Sequence, residues 1–304
     1  MQFPDFNPVW FSIGPLDIRW YAIAYVLGIV LGWWYAARLL KTTRLWAPGK
    51  PPITTVQLDD LILWITLGII LGGRFGYALF YQPHLYGDIF TGATLGDRLA
   101  LFKLWDGGMS FHGGLIGCTL AVVWYGWKQK VNTLSLGDMA LAAAPFGLCF
   151  GRLANFVNGE LWGRPSDLPW AMNFCNAHAR SIYGAVCERV APNGEIVGPG
   201  VALRHPSQLY EAGLEGVFLF GLLWLAIYKF RLLGKPGYVT GLFLLGYGAI
   251  RASLENVRQP DFGMDQFPLG LTMGMMLSTP MMLIGAWLIW RAWSRPPVQA
   301  AADA

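Results

Sequence analysis

Apolar stretches of nearly constant length recur along this chain, at about 20–40, 59–80, 109–127, 138–157, 207–229, 238–257 and 273–292. Each is close to the ~20 residues an α-helix needs to cross the hydrocarbon core of a bilayer. Charge content agrees, because 13% of the residues are charged against about 25% in soluble domains. The expectation is an all-α integral membrane protein, one polytopic domain over 1–304 with about seven transmembrane helices. The longest connection, 158–206, is expected to form an external loop or head segment, with the long external loops making a periplasmic cap, and 293–304 a short cytoplasmic tail. The first apolar stretch is too long and too poorly flanked for a cleavable signal peptide. No solenoid-period repeat and no inverted pair of halves is evident.

Lysine and arginine placement orients the chain. Eleven of the 22 cationic residues fall on the side reached after the first, third and fifth stretches and in the tail, including Lys41, Arg44, Lys128, Lys130, Arg231, Lys235 and Arg291. Eight fall on the other side, in much longer loops, and Arg74, Arg152 and Arg251 lie inside stretches. This predicts an N-terminus outside and a C-terminus in the cytoplasm. The net charge of +4 follows from topology and gives no reason to expect nucleic acid. Cys118 and Cys149 sit in apolar stretches and read as small buried thiols. Cys175 and Cys187 share the long outer loop, where the sequence leaves a disulfide open. No Cys/His set has zinc spacing, so neither a metal nor another cofactor is expected.

Polar groups gather at one depth. The second, fourth and sixth stretches run outward, placing Arg74, Arg152 and Arg251 in their outer halves. His112 and Tyr21 sit near the outer ends of the third and first. Each charge at such depth costs about 2.5–3.5 kcal/mol on insertion scales, so the chain is expected to bind something polar there. Arg152, Asn155 and Gly159 fall on one helix face, as do Tyr247, Arg251 and Glu255 on another. The runs GGRFG (72–76) and HGG (112–114) allow close helix approach and leave room for a ligand. Blander readings exist for each residue alone. An arginine near a span end can snorkel, Arg251 can simply pair with Glu255, His112 can be a structural hydrogen-bonder, and Tyr21 an interfacial anchor. The collection at one level, on the side that positive-inside bias disfavours, argues for a site. The planar guanidinium fork suits phosphate or carboxylate, and at this depth a phospholipid phosphate is the natural anion. Composition and spacing do not name a reaction.

Seven segments, in order, resemble one family: FSIGPLDIRWYAIAY (11–25), GGRFGY (72–77), WDGGMSFHGGL (105–115), GRLANFVNGELWGRP (151–165), HPSQLYE (205–211), YGAIRASLENVRQPD (247–261) and LTMGMMLSTPM (271–281). Over almost its whole length the chain resembles bacterial prolipoprotein diacylglyceryl transferases. The resemblance implies transfer of the diacylglyceryl group of phosphatidylglycerol to the lipobox cysteine of a preprolipoprotein, giving a thioether and glycerol phosphate. It implies a multi-pass protein of the bacterial cytoplasmic (inner) membrane, with its site toward the periplasm and with membrane lipids as partners. His112 matches the family's essential histidine, a candidate base or headgroup binder, and Arg152 and Arg251 would stabilise the leaving phosphate. Asn155, Glu160 and Gly163 match functional positions of the signature, and Tyr21 and Tyr247 match site-lining tyrosines. Arg74 is placed with the substrate-binding group, with a structural role equally open; His84, His178 and His205 are not expected to be catalytic.

The chief alternative is a transporter or flippase for an anionic lipid, which would use the arginines without needing a histidine. A non-catalytic scaffold leaves the polar layer unexplained. An intramembrane protease would need a second aspartate beside Asp138, and a CDP-alcohol phosphotransferase an aspartate cluster.

Overall fold

The computed structural model describes residues 1–174 apart from 2, 5, 15, 48, 105 and 106, then 188–190, 196–199, 203–259 and 270–295. Cys175, His178 and Cys187 lie outside the described residues. In chain order the main elements are β1 (Val9–Ile13), β2 (Leu16–Arg19), α1 (Trp20–Lys41), α2 (Thr55–Tyr81), α3 (His84–Thr91), α4 (Leu95–Arg98), α5 (Phe111–Gln129) and α6 (Thr133–Asn158). They continue with β3 (Met172–Asn173), β4 (Glu188–Val190), β5 (Ile196–Pro199), β6 (Leu203–Arg204), α7 (Ser207–Tyr228), α8 (Tyr238–Leu254) and α9 (Met273–Ser294). The protein is mostly helical. What an all-helical reading omits is three antiparallel two-stranded ribbons among the described residues, β1–β2 ahead of α1 and β3–β6 and β4–β5 between α6 and α7.

Among the described residues, five helices are long and apolar enough to cross a membrane: α1, α2, α6, α7 and α9. Helices also cover the other two apolar stretches. At 17 residues, α8 is about 25 Å long at ~1.5 Å per residue, short of a ~30 Å core. The 19-residue α5 is outside the five because its first half carries His112, Gly113, Gly114 and Gly117 and its end Lys128.

The chain packs as two units, Met1–Ala36 with Leu45–Pro48 and Asp138–Ala304, and Ala37–Arg44 with Gly49–Gly137. In the smaller unit α2 and α5 meet along glycines. A Cβ on Gly72 would strike the Gly113 carbonyl oxygen, and one on Gly117 the Gly68 carbonyl oxygen. Lipid solvates leucine as well as a partner helix does, so close backbone approach through small residues is what pairs helices there. The starts of both helices are capped: Thr54 and Gln57 form a reciprocal capping box for α2, and the Ser110 hydroxyl accepts from Gly113 N for α5. A small core of Ala78, Leu85 and Leu101 joins α2 to α3 and the following turn.

In the larger unit, Gly28 of α1 abuts Gly147 of α6, and Tyr35 lies between the rings of Phe146 and Phe220. Helices α8 and α9 approach at Gly241 and Gly285. Asp138, 0% exposed, has a role that no protease reading needs. Residue Gly237 precedes α8 and has no side chain to cap it. Asp138 of α6 supplies the cap instead, accepting from Gly237 N and Thr240 N at 2.7 Å each. Replacing Asp138 by Ala orphans two buried N–H groups at about 1–3 kcal/mol each. The expected outcome is a loss of about 2–5 kcal/mol on that basis, and Asp138→Asn should lose less. Thermal unfolding of the detergent-purified variants checks this; an unchanged midpoint for Asp138→Ala would refute the cap.

Candidate active site

The end of α6 shapes the first part of the site. Asn158 is its last residue, and Gly159 follows with φ +64°, a left-handed backbone that favours glycine. Gly159 N donates to Phe156 O at 2.9 Å and Glu160 N to Asn155 O at 3.1 Å, the paired bonds of a Schellman turn. The turn folds Glu160 back over the helix end. Its Oε1 then accepts from Asn155 Nδ2 at 2.8 Å and from Asn158 Nδ2 at 3.3 Å. Beyond the turn, Gly163 N donates to His205 O and Arg164 N to Val257 O, both at 2.9 Å. Gln208 Nε2 donates to Glu160 O at 2.6 Å, and the Ser207 hydroxyl to Leu161 O at 3.1 Å. The signature loop is thus threaded between the start of α7 and the end of α8. A Cβ on Gly163 would lie 2.6 Å from His205 Cβ and would strike the Val257 carbonyl oxygen, so the position has room for glycine alone.

Charge enters from three helices. Arg152 Nε of α6 lies 2.7 Å from Glu211 Oε2 and 3.3 Å from Glu215 Oε2, both carboxylates on α7. These side chains are 1% and 0% exposed, against 18% for Arg152. Arg258 Nη1 reaches Glu211 from another side at 3.4 Å. On α8, Arg251 pairs with Glu255 one turn on, and a Cβ on Gly274 of α9 would overlap that carboxylate. Tyr247 stacks on Phe243 with ring centroids 5.7 Å apart and feels the charges of Glu215, Arg152, Arg251 and Glu211. Tyr25 donates to the Tyr21 hydroxyl at 3.3 Å and lies within electrostatic reach of Arg152 and Glu160. Residues Ala212–Phe218 of α7 are wound as a π-helix, a form that recurs at functional sites. His205, ahead of α7, has its pKa pushed down by burial and faces the Tyr210 hydroxyl at 3.4 Å.

Of the sequence-predicted residues, Tyr21, Arg152, Asn155, Glu160, Gly163, Tyr247 and Arg251 all belong to this connected set in the larger unit. The sequence reading missed Tyr25, Gln208, Glu211, Glu215 and Arg258. Two glutamates four apart in the apolar 207–229 stretch were the available signal, since buried carboxylates carry the same cost that draws attention to Arg152.

The smaller unit carries His112 and Arg74. His112 is the second residue of α5, is exposed, and meets the Phe111 ring edge-on at 5.6 Å. Arg74 is 6% exposed. Its Nε donates to Leu101 O at 2.9 Å, its Nη2 to Ala100 O at 2.7 Å, and its Nη1 to Gly107 O and Gly108 O. That fork binds backbone, and it fixes the segment leading into Ser110 and His112.

A helical membrane protein with a cluster of arginines and carboxylates sunk in its apolar helices is the class that these observations define. The family follows from comparison with known proteins. The model of the prolipoprotein diacylglyceryl transferase family matches residues 8–291. A phosphatidylglycerol–prolipoprotein diacylglyceryl transferase of Phenylobacterium zucineum is 52% identical over 100% of this chain and 99% of its own. Relatives of that same name from Caulobacter vibrioides and Bradyrhizobium diazoefficiens are 50% and 48% identical over 97% and 95% of this chain. The chain belongs to the prolipoprotein diacylglyceryl transferase family.

The threaded loop makes a prediction of its own. Gly163→Ala should overpack the contact with His205 and Val257 and cost about 1–3 kcal/mol. Gly159→Ala should cost about 1–2 kcal/mol through its left-handed backbone. Thermal unfolding in detergent tests both; a Gly163→Ala protein as stable as the parent would show that the loop is free to shift.

Proposed function

We propose that this protein transfers the sn-1,2-diacylglyceryl group of phosphatidylglycerol to the thiol of the lipobox cysteine of preprolipoproteins, releasing glycerol phosphate. The observation that carries this reading is the buried Arg152, held at 2.7 Å by Glu211 in a chain whose relatives, about half identical over their whole length, bear that name. The substrate thiolate attacks the C3 carbon of the diacylglyceryl unit. The C–O bond to phosphate breaks, and charge builds on the leaving phosphate. Arg152 and Arg251 supply fixed positive charge there, and such preorganised stabilisation is worth most in a water-poor site. Tyr21, Tyr247, Asn155 and Glu160 orient headgroup and arginines, and Gly163 keeps the loop in register.

His112 is our candidate to accept the thiol proton, because histidine ordinarily titrates nearest neutral pH. Its ring is exposed at the start of α5. Arg74 acts through the backbone it binds at residues 100, 101, 107 and 108. We read the chain as seven crossings of the bacterial inner membrane, N-terminus outside and C-terminus in the cytoplasm, with 158–206 as an external cap. Cationic bias and a helix over every apolar stretch support that topology.

The test is transfer of label from phosphatidylglycerol, tagged in its diacylglyceryl part, to lipobox peptides carrying Cys or Ser, using purified protein in detergent. Label should reach the Cys peptide alone, with glycerol phosphate released. Arg152→Ala should lose about 100-fold or more in rate, as removal of a transition-state donor does. Arg152→Lys should recover little of it, since an ammonium lacks the fork. His112→Gln should also lose most turnover. Saturable lipid binding without transfer would instead indicate an anionic-lipid transporter.

A further inference from the structure

Three of the four carboxylates in the cluster have partners of their own. Glu255 has Arg251, Glu160 has the amides of Asn155 and Asn158, and Glu211 has Arg258 as well as Arg152. Glu215 differs. Among the described residues its Oε2 reaches Arg152 Nε alone, which donates to it at 3.3 Å while lying 2.7 Å from Glu211. Its Oε1 is buried and, among the described residues, has neither a hydrogen-bond partner nor an ion pair, whereas the Glu255 Oε1 that also lacks a hydrogen bond is ion-paired with Arg251. Glu215 therefore depends on the one guanidinium that an incoming phosphate would take.

We infer that Glu215 compensates the charge of the ligand: binding of an anionic headgroup phosphate at Arg152 is coupled to uptake of one proton by Glu215. The inference rests on the phosphate reading of Arg152. When phosphate occupies the fork, Arg152 no longer neutralises Glu215, and a buried, unpaired carboxylate is expensive. Protonation converts it to a neutral acid whose hydroxyl can donate, and the reverse step releases the proton when glycerol phosphate leaves. The groups that face Glu215 are Arg152 on α6, Glu211 on its own helix, and Tyr247 and Arg251 on α8. Cys149 of α6 abuts the adjoining Gly216, and Tyr35 of α1 packs further along on Phe146 and Phe220. The exposed His112 is controlled for separately.

By linkage, uptake of a proton on binding means that affinity falls as pH rises, by up to about tenfold per pH unit. The experiment is calorimetric titration of the full-length protein in detergent with short-chain phosphatidylglycerol, from pH 6 to 8.5, in two buffers of different ionisation heat. The expected result is a Kd that weakens with pH and uptake approaching one proton per lipid bound. Glu215→Gln should abolish both, and at high pH should bind at least as tightly as the parent does at low pH. His112→Gln should keep the uptake. Zero uptake in the parent overturns the inference, as does an unchanged slope in Glu215→Gln or loss of uptake in His112→Gln. If Glu215→Gln does not fold, uptake by the parent and by His112→Gln still decides. Arg152→Ala separates the two readings. Binding that survives this change sinks the phosphate clamp itself, whereas binding that is lost while the parent shows no uptake sinks only the role of Glu215.

Discussion

A guanidinium can be carried into an apolar helix only if it is paired or hydrogen-bonded there, and the 2.7 Å pair between Arg152 and Glu211 is the condition for the rest of this unit. Removing one partner of such a pair leaves an uncompensated buried charge, at about 3–5 kcal/mol. The pair joins α6 to α7, and Arg258 joins the segment after α8 to the same glutamate. Asn155 and the signature loop follow one turn beyond Arg152. The ion cluster thus holds together the elements that it charges, and the site and the packing of this unit share a cause.

Much of this was legible in the sequence because lipid makes polarity expensive. Arg152, Arg251, Asn155 and Glu160 stood out against apolar neighbours, whereas Gly159, expected on one helix face with Arg152 and Asn155, lies past the end of α6 with φ +64°. Helices lie over every apolar stretch. Glu211 and Glu215 escaped notice because counting cations by depth attends to one sign of charge only. The ribbons escaped too: strands of two to five residues are too short to show a period of two.

Contact across the chain was the part least available from the sequence. Asp138 looked like a lone polar residue at a span end, and nothing nearby in sequence says that its partners are Gly237 N and Thr240 N, about a hundred residues away. Arg74 is expected from the sequence at the depth of Arg152 and Arg251, yet its donors turn to the carbonyls of residues 100, 101, 107 and 108. Depth along the membrane normal can be read from span boundaries. Azimuth around a helix bundle cannot, and azimuth decides whether an arginine meets a carboxylate, a carbonyl or a ligand.

The arginines therefore sort by partner, and the sorting has chemical meaning. Arg74 is fixed by neutral carbonyls and has little fork left to offer. Arg152, Arg251 and Arg258 are each matched by carboxylates, so their fields are balanced while no ligand is present. A balanced cluster avoids leaving net charge in the membrane, and on the proposed reading a phosphate would have to take the place of a carboxylate. The π-wound turn of α7 bears on that exchange. It carries Glu215 but not Glu211, which precedes it, so the two carboxylates on Arg152 are set on differently wound backbone. Glu211, with a second arginine behind it, is built to stay, and Glu215, with one oxygen unpartnered, is the one that can give way.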